Sequence, residues 1–170
     1  MNMEGNMAIV NRSTVYSDEK VAVNRAAIGH RATWMALTYL EGLKAGADAE
    51  AIARAAISET GRRDGERIKG SCEDVKDLRQ FHAAFLNDVG KTTFQMDVTE
   101  NDEENLKIEF HYCPLLAAWQ KLGIDDETCA KLCDIAMDGD RGIAKAAGLK
   151  LELTDTIAKG CPVCKLHFHR

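Results

Sequence analysis

The sequence predicts an α+β protein in which N-terminal helices precede a small antiparallel sheet of about four strands, with helices packed on one face of the sheet. Three observations predict it. Apolar residues recur at helical spacing from residue 17 to about residue 90. The period then drops to two, in Phe94, Met96 and Val98 and again in Leu106, Ile108 and Phe110. Two further alternating stretches, Leu149-Leu151-Leu153 and Cys164-Leu166-Phe168, follow a second helical region.

In order along the chain, residues 1–16 mix Asn, Met, Ser and Thr without a period and read as a mobile terminal segment. Ser17 is placed to cap a long helix over Val21–Leu43, ended by Gly46; Asp48 caps a second, closed by Gly61, and the two form a hairpin. A third helix is expected from about Ser71 to Asp88 with Gly90 as its stop. Strands follow over Thr93–Val98 and Leu106–Phe110, joined by an Asn101-Asp102-Glu103-Glu104 turn. Pro114 starts a helix to Leu122. Asp125 or Asp126 opens a longer one, on which Cys129 and Cys133 share a face and Asp138 caps an interruption. The last two strands flank a turn at Gly160–Pro162. A chain of 170 residues can bury one core, so a single unit is expected over 17–170, with a helical part at 17–90 and a cysteine-bearing part at 91–170.

Composition excludes several classes. With 45% apolar and 29% charged residues and two prolines, disorder is not the expected state. A net charge of −5 with no basic stripe argues against nucleic acid. No apolar run approaches a membrane span, and the first residues lack a signal-peptide pattern, so a cytoplasmic location is expected. There, cysteines persist as thiols, and clusters of them are metal-binding, catalytic or merely buried before they are disulfides. Apolar surface on the first helix, Trp34 and Tyr39 included, is compatible with a homodimer.

Five of the six cysteines lie in the last sixty residues, and the chemistry is expected there. Cys113, at a strand-to-helix junction, sits beside the free N–H groups of a helix start, which suits a nucleophile or a metal ligand; the bland alternative is a small apolar residue filling space. His111, two residues earlier on the same strand face, is the candidate base or ligand. Cys133 and Asp140, seven residues apart, share a helix side and can act together. Cys161-Pro162-Val163-Cys164 is the one C-x-x-C; it opens a strand rather than a helix and has no second pair, so neither a redox motif nor a zinc ribbon follows. Alternation points Cys164 toward the core and His167 and His169 away from it, where they read as solvated. His30 and His82 read as satisfied or surface histidines. The Glu59–Arg67 run reads as a solvated helix end, although Arg62, Arg63 and Arg67 have the fork geometry to bind a carboxylate.

The succession His111-Tyr112-Cys113-Pro114-Leu115, Leu132-Cys133-Asp134-Ile135-Ala136-Met137, Gly139-Asp140-Arg141-Gly142-Ile143-Ala144, Leu153-Thr154-Asp155-Thr156-Ile157 and Gly160-Cys161-Pro162-Val163-Cys164 resembles the L-2-amino-thiazoline-4-carboxylic acid hydrolase-like family. The end of the chain, with Gly160, Cys164 and Phe168, is also similar to 4-vinyl reductase-like small-molecule-binding domains, some of which bind zinc through a cysteine near that position. The resemblance implies Cys113, Cys133, Asp140, Thr156 and Cys164 as recurrent polar positions, with Cys129 and Cys161 as additions of this chain and Lys165 in place of an acidic residue. It implies hydrolytic opening of a 2-amino-thiazoline-4-carboxylate ring to N-carbamoyl-L-cysteine. In one version Cys113, Cys133 and Cys164 hold a divalent metal such as zinc, and Asp140 or His111 is the base. In the preferred, metal-free version Cys113 attacks ring carbon C2 with help from Cys133 or His111. In either, an arginine, taken as Arg141, binds the substrate carboxylate beside Thr156 and Cys164. The alternatives are a non-enzymatic sensor or carrier with a cysteine-lined pocket, or a domain held by structural zinc.

Overall fold

The computed structural model describes residues 9–170, so the expected mobile segment lies outside the described residues for positions 1–8. Positions 9–16 make polar contacts with the rest of the chain. The Asn11 amide pairs with both backbone groups of Cys113, donating to its carbonyl and accepting from its N–H at 2.8 and 2.9 Å. Gln120 donates to the Ile9 carbonyl, and Arg25 donates to the Ser13 hydroxyl and the Val15 carbonyl.

Helix α1 (Glu19–Lys44) is capped by Asp18 rather than Ser17, and α2 (Ala49–Gly70) by Asp48. The two form the expected hairpin, but α2 does not stop at Gly61. Gly61 and Gly65 sit inside it, buried, because the backbone of a later helix crosses them: a methyl group added at Gly61 would stand 2.8 Å from the Gly139 carbonyl carbon. Glycine here permits close approach of two helices rather than ending one.

The expected helix over Ser71–Asp88 is instead two short ones, α3 (Leu78–Phe85) and α4 (Asp88–Phe94). Asp77 and Asn87 cap them, and Gly90, read as a stop, lies in the first turn of α4 and donates its N–H to Asn87. Phe94 therefore belongs to a helix, and the left-handed Gln95 turns the chain into the first strand.

The sheet has order β1-β2-β4-β3, all antiparallel, with β1 (Met96–Asn101), β2 (Asn105–Phe110), β3 (Lys150–Leu153) and β4 (Cys164–His169). Its α+β class is the expected one. Alternation buries Leu106, Ile108, Leu166 and Phe168 on the inner face, where Phe168 meets Phe81 and Phe85 of α3 at ring distances of 5.0 and 5.4 Å. Between β2 and β3 run α5 (Pro114–Lys121), α6 (Asp126–Ala136) and α7 (Asp138–Ala147). Trp119 of α5 is buried and donates its indole N–H to Ala32 of α1. The expected single long helix bends at Met137 into α6 and α7, and Asp138 makes no capping bond there. It is instead bound by Arg54 and Arg141, which also grip Asp134. Among the described residues, no helix is long and apolar enough to cross a membrane.

Candidate functional site

Four elements converge on one group of side chains. Cys113 is the N-cap residue of α5, positioned by Pro114 at the first helical position and by Asn11 across its backbone. Cys133 lies on the buried face of α6, Asp140 in the first turn of α7, and Cys164 opens β4 with its side chain turned inward. Thr156 and Ile157 enter a single 3-10 turn (Ile157–Lys159), and the Ile157 N–H donates to Cys164 Sγ at 3.2 Å. Cys113 and Cys164 are both among the groups whose charge acts on Cys133, and Cys113 and Asp140 among those acting on Cys164. The three thiols expected to work together thus lie within electrostatic reach of one another, and Asp140 lies within reach of Cys164; a helix bend, not one continuous helix face, separates Asp140 from Cys133.

Electrostatics change the expected role of the thiols. Burial pushes the Cys113 thiol up, and the Leu116 and Leu115 N–H groups only partly offset it. Burial, then the neighbouring Cys113 and Cys164, push Cys133 up further; Cys164 is pushed up to about 12 by burial, against the pull of the Ile157 N–H. The helix start does favour a Cys113 thiolate, as expected, but desolvation outweighs it, so all three groups rest as neutral thiols. Asp140 is raised from 3.8 to about 6 by burial, with Arg141 and Arg31 pulling the other way. A carboxyl tuned to that range exchanges protons near neutrality.

Thr156 Oγ1 is buried and has no hydrogen-bond partner among the described residues. A polar atom left without a partner inside a protein costs about 1–3 kcal/mol, so this hydroxyl is set to bond something the protein itself does not supply.

Five candidate residues, His111, Arg141, Arg62, Arg63 and Arg67, stand elsewhere. His111 is exposed and bonds Asp97 at 2.9 Å; with Thr14, Lys91 and Gln95 it lines a surface groove of about 490 Å³ that does not include Cys113. The strand ends at Phe110, so the shared-face argument fails by one residue. Arg141 spends its guanidinium on Asp134 and Asp138, holding α6 to α7, and is not free for a ligand carboxylate. Arg62, Arg63 and Arg67 pair with Glu59, Glu66 and Asp64 of their own helix. Cys129 is fully buried and directs its thiol to the Ile124 carbonyl at 3.6 Å, a packing residue.

Among the described residues, the group of three or more donor side chains whose ligand atoms all lie within 4.8 Å of one another is on the outer face of the sheet. Cys113, Cys133 and Cys164, the expected metal ligand set, are not such a group among the described residues.

Sequence reasoning missed two cations. Arg31 of α1 acts on Asp140 and Lys159 on Cys133, and among the described residues neither makes an ion pair; both are exposed. Neither was singled out by any motif, and only packing brings them into reach.

The α+β scaffold thus brings together three desolvated thiols, a raised carboxyl and a buried hydroxyl without a partner among the described residues. The chain matches the L-2-amino-thiazoline-4-carboxylic acid hydrolase family model over residues 25–168, and it belongs to that family. No curated protein and no solved structure matches it.

Proposed function

We propose that the protein is a hydrolase that opens a 2-amino-thiazoline-4-carboxylate-like cyclic amidine, with Asp140 as the base. The observation that supports this reading is a carboxyl raised to about 6 within electrostatic reach of the Cys164 thiol, which in turn is within reach of Cys113 and Cys133. The ionised Asp140 takes a proton from water as its oxygen bonds to C2; the C2–sulfur bond of the ring breaks, and a neutral thiol, taken as Cys113, gives its proton to the departing sulfur. Asp140 then returns its proton to the Cys113 thiolate, so one water is consumed and the product carries a urea and a free thiol. Thr156 Oγ1 donates to or accepts from the amidine, and Arg31 or Lys159 holds the carboxylate.

A thiol held above its ordinary range is a poor nucleophile and a weak acid, so Cys113 is assigned not the attack but a relay, passing to the departing sulfur a proton that Asp140, the stronger acid once it has deprotonated water, replaces. Ring opening is followed by the appearance of product thiol in purified wild type, Asp140→Asn and Cys113→Ala. The expected profile for wild type rises with pH through about 6 as Asp140 ionises, Asp140→Asn loses about 100-fold or more, and Cys113→Ala about 100-fold. A covalent S-amidino adduct on Cys113, detected by mass spectrometry, would restore the nucleophilic assignment. No ring opening by wild type sinks the hydrolase reading and leaves a ligand-binding domain.

A further inference from the structure

We infer that Glu152, His167 and His169 form a second site, a binding site for a divalent first-row transition ion on the outer face of the sheet, away from the cysteines. The register builds it. His167 and His169 alternate with the buried Leu166 and Phe168 and so share the outer face of β4, and Glu152 of β3 is directly paired with His167. The Glu152 carboxylate lies 3.6 Å from His167 Nδ1 and 3.4 Å from His169 Nε2. The 3.6 Å contact is to Oε2 and the 3.4 Å contact to Oε1, so one carboxylate oxygen faces each imidazole. Each spacing is close to the donor–donor edge, about 3.3 Å, of a tetrahedral site whose centre is about 2.0–2.1 Å from each donor. One donor atom from each of the three residues lies within 4.8 Å of the others.

The second nitrogen of each ring decides which atom is offered. His167 Nε2 is 2.9 Å from Asn105 Oδ1, and His169 Nδ1 is 2.9 Å from the Arg170 carbonyl. Both partners are oxygens that can only accept, so each of those nitrogens carries the hydrogen. The lone pairs are left on His167 Nδ1 and His169 Nε2, the two atoms that face Glu152. Metal-bound histidines are oriented by this same arrangement, in which the far N–H is held by a carbonyl or carboxylate. Two further features fit. The imidazoles are mostly buried, at 25% and 23% side-chain exposure, and lie side by side with centroids 4.8 Å apart, so little rotamer freedom remains to be lost. Two imidazoles and one carboxylate suit Zn²⁺, Ni²⁺ or Cu²⁺ and leave at least one coordination position open. An ion there would pin β3, an edge strand, onto β4, the strands that run into and out of the turn bearing Thr156.

The test uses untagged full-length protein stripped with a chelator and titrated with ZnCl₂ by calorimetry. One Zn²⁺ per chain is expected. His167→Ala and Glu152→Gln each weaken binding by at least about 100-fold, and Asn105→Ala by about 10–100-fold, since it only orients His167. Co²⁺ substituted for Zn²⁺ is expected to show ligand-field bands without a thiolate charge-transfer band. Circular dichroism checks that each variant folds. Should one not fold, electron paramagnetic resonance of wild type loaded with one Cu²⁺ decides alone, through coupling to two imidazole nitrogens. The proposal is overturned by absence of Zn²⁺ binding at micromolar concentration, by unchanged affinity in folded His167→Ala, by a thiolate band in the Co²⁺ spectrum, or by a Cu²⁺ spectrum without imidazole coupling.

Discussion

Replacing Asp140 with asparagine is expected to stabilise the protein while it disables the site. Burial raises this carboxyl from 3.8 to about 6. At about 1.4 kcal/mol for each tenfold change in acidity, ionising it in the fold costs about 3 kcal/mol more than in the unfolded chain. Asp140 is partly open to solvent, which brings the figure to about 1–2 kcal/mol. The sign follows from the order of the two pKa values. The folded one is higher, so the native state holds the proton more tightly, and the contribution to stability is fully present below 3.8 and lost as pH rises through about 6. An asparagine side chain carries no charge at any pH, so the variant escapes that loss. For a chain of this size, its melting temperature at about pH 7.5 is expected to exceed wild type by about 2–8 °C, with the difference closing toward about pH 4. Calorimetric melts across that range measure it. A variant no more stable than wild type at about pH 7.5, or a difference that does not vary with pH, would refute the account of Asp140 as a buried, reluctantly ionised carboxyl.

Two other expectations concern the scaffold. Gly61→Ala gains about 1 kcal/mol of helix propensity but drives a methyl group to 2.9 Å from the Gly139 Cα, backbone that cannot swing away; a net loss of about 2 kcal/mol, or about 4–8 °C in melting temperature, is expected in thermal melts. Asn11→Ala removes both bonds to the Cys113 backbone, and is expected to destabilise by about 1–2 kcal/mol in urea titrations and to raise the rate at which Cys113 is alkylated.

The sheet was readable because strand alternation is a local property: Leu106, Ile108, Leu166 and Phe168 announce their face by spacing alone, and β2 and β4 follow. Helix ends were less so. Gly61 and Gly90 carry the residue type of a stop but serve a close helix crossing and a first turn, and nothing within a few residues of either distinguishes those uses. Of the candidate site, Cys113, Cys133, Cys164 and Asp140 could be singled out from chemistry and motif order, and the fold places the three thiols within electrostatic reach of one another and Asp140 within reach of Cys164. His111 was misplaced because the strand ends one residue before it, and Arg141 because its guanidinium is claimed by Asp134 and Asp138.

By itself the sequence determined the α+β class, the family, the inward face of β4 and the residue types available for proton transfer, since each depends on local pattern or on side-chain chemistry. Only the tertiary structure decided the protonation of the thiols, the raised carboxyl of Asp140, the isolation of Thr156 Oγ1 and the approach of Arg31 and Lys159. It also aimed two histidines read as solvated at one carboxylate. Desolvation and electrostatic proximity depend on which distant segments pack around a group, and that information is spread over the whole chain.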